Sequence, residues 1–149
     1  MLTVEDAKKR LFENTGILGK EKRNVSDTIG YILAEDVKAR FDIPQFDQSA
    51  VDGFAISLNG QSPNDELSLP FFTEVKAGDK PISSLKKNTA VRIYTGAPVP
   101  TNVTGIVMQE KTIVKENLVV VPSGSFIPGS NIRLKGTQIR KGEIASGYK

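Results

Sequence analysis

The sequence predicts an α+β, mostly β protein: a small helical and extended opening that leads into a β-barrel-like body. Three observations point to this. A single well-capped helix signal stands at the start, and the 13 Gly and 8 Pro residues gather mostly after Pro44. Short apolar runs then follow one another without the helix-length crossovers that separate parallel strands, which favours a small barrel or sandwich.

Each element has its own signal. Thr3 is the N-cap of the opening helix, Glu5 and Asp6 sit favourably in its first turn, and Val4, Ala7 and Leu11 recur on one face up to about Glu13. Asn14-Thr15-Gly16 stops it. A second short helix is expected from Ser26, turning Ile29, Ile32 and Leu33 inward. Gly30 inside that helix would cost about 1 kcal/mol relative to alanine, which implies a close backbone contact there. Beyond Ala34 the chain turns extended, and Pro44 keeps Ile43 out of the helical region. Strands are expected at Phe54–Leu58, Leu67–Val75, Ala90–Thr95, Ile106–Val114 and Leu118–Val121. The last two form a hairpin with its tip at Lys115-Glu116-Asn117, and Asn59–Pro63 with Asn64 and Asp65 is a polar loop.

Composition excludes whole classes of chemistry. The 149 residues include no Cys and no His, so zinc sites of the usual ligands, disulfides, redox pairs and imidazole-based nucleophilic catalysis are ruled out. Any chemistry rests on carboxylates, hydroxyls, Lys, Arg, Tyr and backbone amides. The length suits one or two small soluble domains that bury roughly 68–70% of their unfolded surface. Acidic residues occupy the start where a secretory signal needs bases, and no apolar run approaches the roughly 18 residues of a membrane span, so a cytoplasmic protein without a membrane partner is expected.

The net charge of +3 is unevenly placed. Residues 131–149 carry Arg133, Lys135, Arg140, Lys141 and Lys149 against Glu143 alone. Basic segments meet nucleic acid, anionic surfaces or phosphorylated small molecules, or serve as a solvated edge. No aromatic platform is interleaved with these bases, so no nucleic-acid partner is expected.

Three segments carry candidate chemistry. In Asp42–Phe54, three carboxylates (Asp42, Asp47, Asp52) and the Ser49 hydroxyl lie in a stretch that turns at Pro44 and Gly53. Such oxygens suit a hard cation or an ordered water, and equally a polar connection with an Asp-Gly turn. In Arg92–Pro100, a strand feeds Thr95-Gly96, and two prolines stiffen its exit. A hydroxyl and amides are presented there to an anion, or the segment is simply a proline-rich turn. In Gly129–Gly136, Arg133 pairs with a phosphate or carboxylate ligand or with a surface acid, and the residues alone favour the surface acid. No phosphate-binding glycine loop of the nucleotide folds is present.

These three segments, in this order, resemble the molybdopterin molybdenumtransferase family, which is also represented by the C-terminal enzymatic region of gephyrin. The resemblance runs from Val4-Glu5-Asp6-Ala7 through Ile29–Val37, is strongest at Pro44–Ala55, and returns at Lys76-Ala77-Gly78, Arg92–Pro100, Val107–Glu110 and Asn131–Gly136. It covers nearly the whole chain. The pairing of Ser49-Ala50-Val51-Asp52-Gly53 with Thr95-Gly96-Ala97-Pro98-Val99-Pro100 is its specific mark. Thr137-Gln138 stands where the family commonly has an acidic pair, and Thr104-Gly105 replaces its usual acid-Ala pair.

The resemblance implies a fold and an activity. Residues 1–44 with 133–149 form part of an elongated, dimerisation-type first domain, interrupted by an inserted β domain at 45–132. The family inserts molybdenum from molybdate into adenylylated molybdopterin with divalent-cation help and releases AMP. Asp52 and Thr95 match its functional aspartate and threonine, with Asp52 also the ligand for Mg2+; Ser49 and Arg133 fall at substrate-binding positions. A homodimer and a transient encounter with molybdopterin adenylyltransferase are implied as partners. The main catalytic domain of the family lies beyond this chain's matching region, so the chain alone is expected to be inactive. The alternative is a non-catalytic dimerisation or partner-binding module of the same architecture.

Overall fold

A computed structural model describes residues 2–16 and 18–147. Residue packing divides the chain into two units, Met1–Val37 with Ser146–Lys149, and Lys38–Ala145. The first unit holds helix α1 (Val4–Asn14), capped as expected: the Thr3 hydroxyl accepts a hydrogen bond from the Asp6 amide at 3.1 Å. None of the helix's residues is buried.

The second helix expected at Ser26 does not form. In its place is a single 3₁₀ turn, Val25–Asp27, closed by the Thr28 hydroxyl donating to the Val25 carbonyl. Gly30 has φ +86° and no atom would meet a Cβ there within 4 Å, so its reason is backbone conformation and not a close contact. That turn breaks the helical spacing, and Ile29 and Ile32 stand 93% and 77% exposed, with Leu33 exposed too.

The strands are β1 (Val37–Lys38), β2 (Gln48–Ser49), β3 (Gly53–Ser57), β4 (Leu67–Val75), β5 (Thr89–Ile93), β6 (Gly105–Met108), β7 (Ile113–Lys115), β8 (Leu118–Val121), β9 (Ile132–Arg133) and β10 (Ile144–Ser146), of which β2 to β9 lie wholly in the second unit. Six of them form one curled sheet, a half-barrel, in the order β6-β3-β5-β4-β8-β7; β1 pairs with β10, and β2 with β9. The barrel-like, mostly β expectation therefore holds. Two details differ from it. The run Ile106–Val114 is cut by a 3₁₀ turn at Gln109–Lys111, which ends β6 and starts β7. And β4 pairs with β5 in parallel, through a crossover at residues 76–88 that is not helical.

That crossover matters for burial. All five residues of β3 are buried, because both faces of the sheet are covered. Phe54 and Ile56 pack with Leu67, Leu69, Val107, Val119, Val121 and Phe126 on one face. Ala55, Val91, Ile93 and Ile106 pack on the other, where the crossover supplies Ile82 and Leu85. A strand buried on both faces reads as a continuous apolar run, which is what Phe54-Ala55-Ile56 is. The predicted hairpin tip is present: Lys115 pairs with Leu118, and Glu116 takes φ +50° between them.

Gly53 is fixed by sterics. A Cβ built on it would lie 1.9 Å from the Val107 carbonyl oxygen, so only glycine lets β3 begin its ladder against β6.

Candidate functional site

Register brings two of the sequence motifs together. In the antiparallel β3–β5 pair, Gly53 faces Ile93, so the residue entering β3, Asp52, meets the turn leaving β5. The Asp52 carboxylate accepts two hydrogen bonds on Oδ1, from the Thr95 amide at 2.8 Å and from the Thr95 hydroxyl at 2.7 Å. Both residues are exposed.

The turn itself is a rigid platform. The Ala97 amide donates back to the Tyr94 carbonyl at 2.9 Å, and Gly96, at φ +81°, closes the turn. Three main-chain bonds then lace it to the segment before Asp52: Gly96 to the Ser49 carbonyl (2.9 Å), Ser49 to the Ala97 carbonyl (3.0 Å), and Val99 to the Asp47 carbonyl (2.9 Å).

The third motif closes the other side. In the β2–β9 pair, Gln48 faces Arg133 and Ser49 faces Ile132. The Ala50 amide donates to the Asn131 carbonyl at 2.9 Å, and the Lys135 amide donates to Asp47 Oδ1 at 2.8 Å. Residues 47–52 are thus held between residues 94–99 and 131–135. The sequence singles out all three motifs, and the fold joins them.

The individual side chains differ in what they offer. Ser49 is buried, and its hydroxyl donates to the Val51 carbonyl at 2.6 Å while accepting from the Val51 amide at 3.3 Å. It shapes the approach to Asp52 from beneath. The Thr95 hydroxyl has given its hydrogen to Asp52, so it orients the carboxylate and keeps only acceptor capacity. Arg133 is exposed on β9 and, among the described residues, makes no ion pair. The surface acid that the residues alone favoured for it is absent from that set.

Electrostatics keep Asp52 ionised. The Thr95 amide and then its hydroxyl hold the carboxyl below its ordinary range, with the Arg92 charge adding to them and partial desolvation opposing. Arg92 was not singled out by the sequence, although it opens the second motif. It donates to Gln109 Oε1 at 3.2 Å, and its guanidinium lies 5.9 Å from the Phe54 ring centre and 5.6 Å from that of Tyr94. Tyr94 in turn donates to Glu74 at 3.0 Å, and Lys76 pairs with the same carboxylate at 2.6 Å. Nothing in the sequence marks Glu74 as the partner of Tyr94, or Gln109, whose amide also donates to the Asp52 carbonyl at 3.1 Å, as the partner of Arg92, because strand order brings them together.

The three aspartates do not form a cation cage. Asp42 receives the Lys141 amide at 2.8 Å, Asp47 the Lys135 amide and Asp52 the Thr95 amide. Among the described residues no three acidic groups converge. Asp52 keeps one carboxylate oxygen, Oδ2, clear of hydrogen bonds among the described residues, and a magnesium ion, which is usually held by one or two carboxylates together with substrate phosphates, would find a single ligand there.

Residues 2–147 match the family described as the MoeA N-terminal region, domains I and II. The chain belongs to this family. It is 34% identical over 146 residues to the molybdopterin molybdenumtransferase of Staphylococcus epidermidis, a match covering 96% of this chain and 35% of that protein. It is 30% identical over 145 residues to the Haemophilus influenzae protein of the same name, covering 97% of this chain and 35% of the relative. The crystal structure of the molybdopterin biosynthesis MoeA protein from Pyrococcus horikoshii OT3 is similar at TM-score 0.75 and 30% identity, over 86% of this chain and 34% of that one. The chain therefore spans about a third of the length of the relatives it matches. The resemblance read from the three motifs agrees with this membership. No helix among the described residues is long and apolar enough to cross a membrane.

Proposed function

We propose that this chain is the N-terminal part of a molybdopterin molybdenumtransferase, whose parent protein inserts molybdenum from molybdate into adenylylated molybdopterin and releases AMP. The observation that carries the reading is the union of the three motifs around Asp52 and Thr95. In this reading Asp52 is the substrate-facing carboxylate. Its Oδ1 is fixed by Thr95, and Oδ2, which takes no hydrogen bond among the described residues, is left to receive one from substrate or an ordered water. A carboxyl held below its ordinary range is a weak proton acceptor, so its work is to orient and to stabilise positive charge more than to abstract a proton.

Thr95 is the positioning partner of Asp52, and Ser49 sets the backbone that presents it. Arg133, exposed and without a carboxylate partner among the described residues, holds an anionic group of the substrate. The first domain, 1–44 with 133–149, pairs two copies of the parent protein, a role supported by the exposed Leu11, Phe12, Leu18, Ile29 and Ile32. The inserted domain, 45–132, supplies one wall of the cleft. Catalysis needs the residues that complete that cleft in the longer relatives, so the 149-residue chain does not turn over alone. The parent works in the cytoplasm and receives its substrate from molybdopterin adenylyltransferase in a transient encounter.

A chimera tests this. The matching third of the Staphylococcus epidermidis protein is replaced by residues 2–147, and AMP release is measured with adenylylated molybdopterin and molybdate. The chimera is expected to release AMP, and the isolated chain is expected to stay at background. A folded chimera without AMP release overturns the reading, and turnover by the isolated chain overturns the split of the site.

A further inference from the structure

A second feature of the Lys38–Ala145 unit stands apart from the Asp52–Thr95 pair. Arg40, Phe41, Asp42, Gln45, Lys135 and Lys141 line an open cleft of about 240 Å³. The basic excess that the sequence places after residue 130 thus folds back against Arg40.

The charges in this cleft do not balance. The lining carries three cations, Arg40, Lys135 and Lys141, and one carboxylate, Asp42. Asp42 is already well served: its Oδ1 accepts the Lys141 amide at 2.8 Å, and its Oδ2 lies 3.4 Å from the Lys135 ammonium. Arg140 adds a further favourable charge to the same carboxyl, which sits below its ordinary range. Neither Arg40 nor the Lys141 side chain has a carboxylate within salt-bridge reach among the described residues. Two positive charges are therefore left facing solvent across a concave surface.

We propose that this cleft binds a doubly charged tetrahedral oxyanion, held between the Arg40 guanidinium and the Lys141 ammonium, with Lys135 shared between the ligand and Asp42. The charge surplus matches the roughly −1.5 to −2 carried by a phosphate monoester at neutral pH. Guanidinium and ammonium donors are the groups that recognise such oxygens. The cleft's size fits a small ligand and not a folded partner. A phosphate ester and a free oxyanion such as molybdate share this chemistry. The inference does not rest on the transferase reading, because none of its residues belongs to the Asp52–Thr95 pair.

Calorimetric titration of the 149-residue chain at low salt tests it, with inorganic phosphate, AMP, molybdate and, as a monovalent control, perchlorate. Saturable binding of phosphate, AMP or molybdate is expected, with perchlorate at least tenfold weaker. Tighter binding of AMP assigns the site to a phosphate ester, and tighter binding of molybdate assigns it to the free oxyanion. Arg40→Gln and Lys141→Gln should each weaken the preferred ligand at least fivefold, while Lys115→Gln, at the β7–β8 hairpin, leaves it unchanged. Asp42→Asn, which keeps an acceptor for the Lys141 amide and removes the internal competitor, should tighten binding, an effect that a merely structural Asp42 would not produce. Absence of saturable binding, equal binding of perchlorate, or binding that survives Arg40→Gln combined with Lys141→Gln overturns the proposal.

Discussion

The Asp52 carboxylate takes both of its hydrogen bonds from a single residue, Thr95, at 2.8 Å from the amide and 2.7 Å from the hydroxyl. One acid is thus clamped by one residue that lies 43 positions away in sequence. The carboxylate's direction is set by the β3–β5 register and not by its own flexible stem.

Asp52→Asn separates charge from shape. Asparagine keeps an oxygen that accepts from the Thr95 amide, so the urea midpoint should change by no more than about 1 kcal/mol of stability. In the chimera, AMP release should fall at least tenfold, about 1.4 kcal/mol of transition-state stabilisation. Unchanged release with a lowered midpoint would leave Asp52 a turn residue only.

Thr95→Val removes the hydroxyl and keeps the amide. The Asp52 titration, followed by carboxyl carbon NMR, should move upward yet stay below the ordinary 3.8, because the amide is the larger cause of the depression. Thr95→Ser should restore the original midpoint. An Asp52 titration indifferent to Thr95→Val would show that the hydroxyl bond is not formed in solution.

Gly53→Ala should be among the costliest single substitutions in the chain. Its Cβ would fall 1.9 Å from a backbone oxygen of β6, which no side-chain rotation relieves. A loss of at least about 2 kcal/mol is expected by thermal or urea unfolding. Gly16→Ala, where nothing lies within 4 Å and φ is not positive, should stay within about 0.5 kcal/mol.

Acid should destabilise the protein through three identified carboxyls. Asp42, Asp52 and Glu74 are all held below their ordinary values of 3.8, 3.8 and 4.5, led by the Lys141 amide, the Thr95 amide and the Lys76 ammonium respectively. A depressed folded value means that the stabilisation is complete above the unfolded value and is lost as pH falls through the folded one. The urea midpoint should therefore begin to fall near pH 4.5 and keep falling below 3.8. A variant combining Asp42→Asn, Asp52→Asn and Glu74→Gln should fall less steeply. Equal slopes would mean that these bonds contribute nothing.

Local signals were legible in the sequence, and long-range ones were not. The Thr3 cap, β4, β8 and the Glu116 hairpin follow from neighbours in the chain. The two-residue strands β2 and β9 are too short to carry a periodicity, and long-range pairing defines them. The inward turn expected of Ile29 and Ile32 failed for a different reason: helical spacing was read across Gly30, whose positive φ breaks it. At the site, the motifs themselves were visible, as were the residue types suited to hold charge. Their convergence was not, nor was the burial of Ser49, which a hydroxyl three residues before a candidate aspartate does not announce. Arg92 and Glu74 were hidden because strand order, and not sequence distance, brings Arg92 to Asp52 and Glu74 to Tyr94.

The bonds that assemble the site also set an order of events during synthesis. Asp42 meets Lys141 across 99 positions and Asp47 meets Lys135 across 88. At ribosomal speeds, the segment 42–52 waits on the order of ten seconds for residues 131–141 to be made. Until then Asp42 and Asp47 lack the amides that hold them and β2 lacks its partner strand β9, whereas Thr95, the partner of Asp52, is already made. The β3–β5 ladder needs nothing beyond Ile93 and can already stand. The segment is thus fastened in two stages, Asp52 to the early Thr95 and Asp42 and Asp47 to the late amides of Lys141 and Lys135.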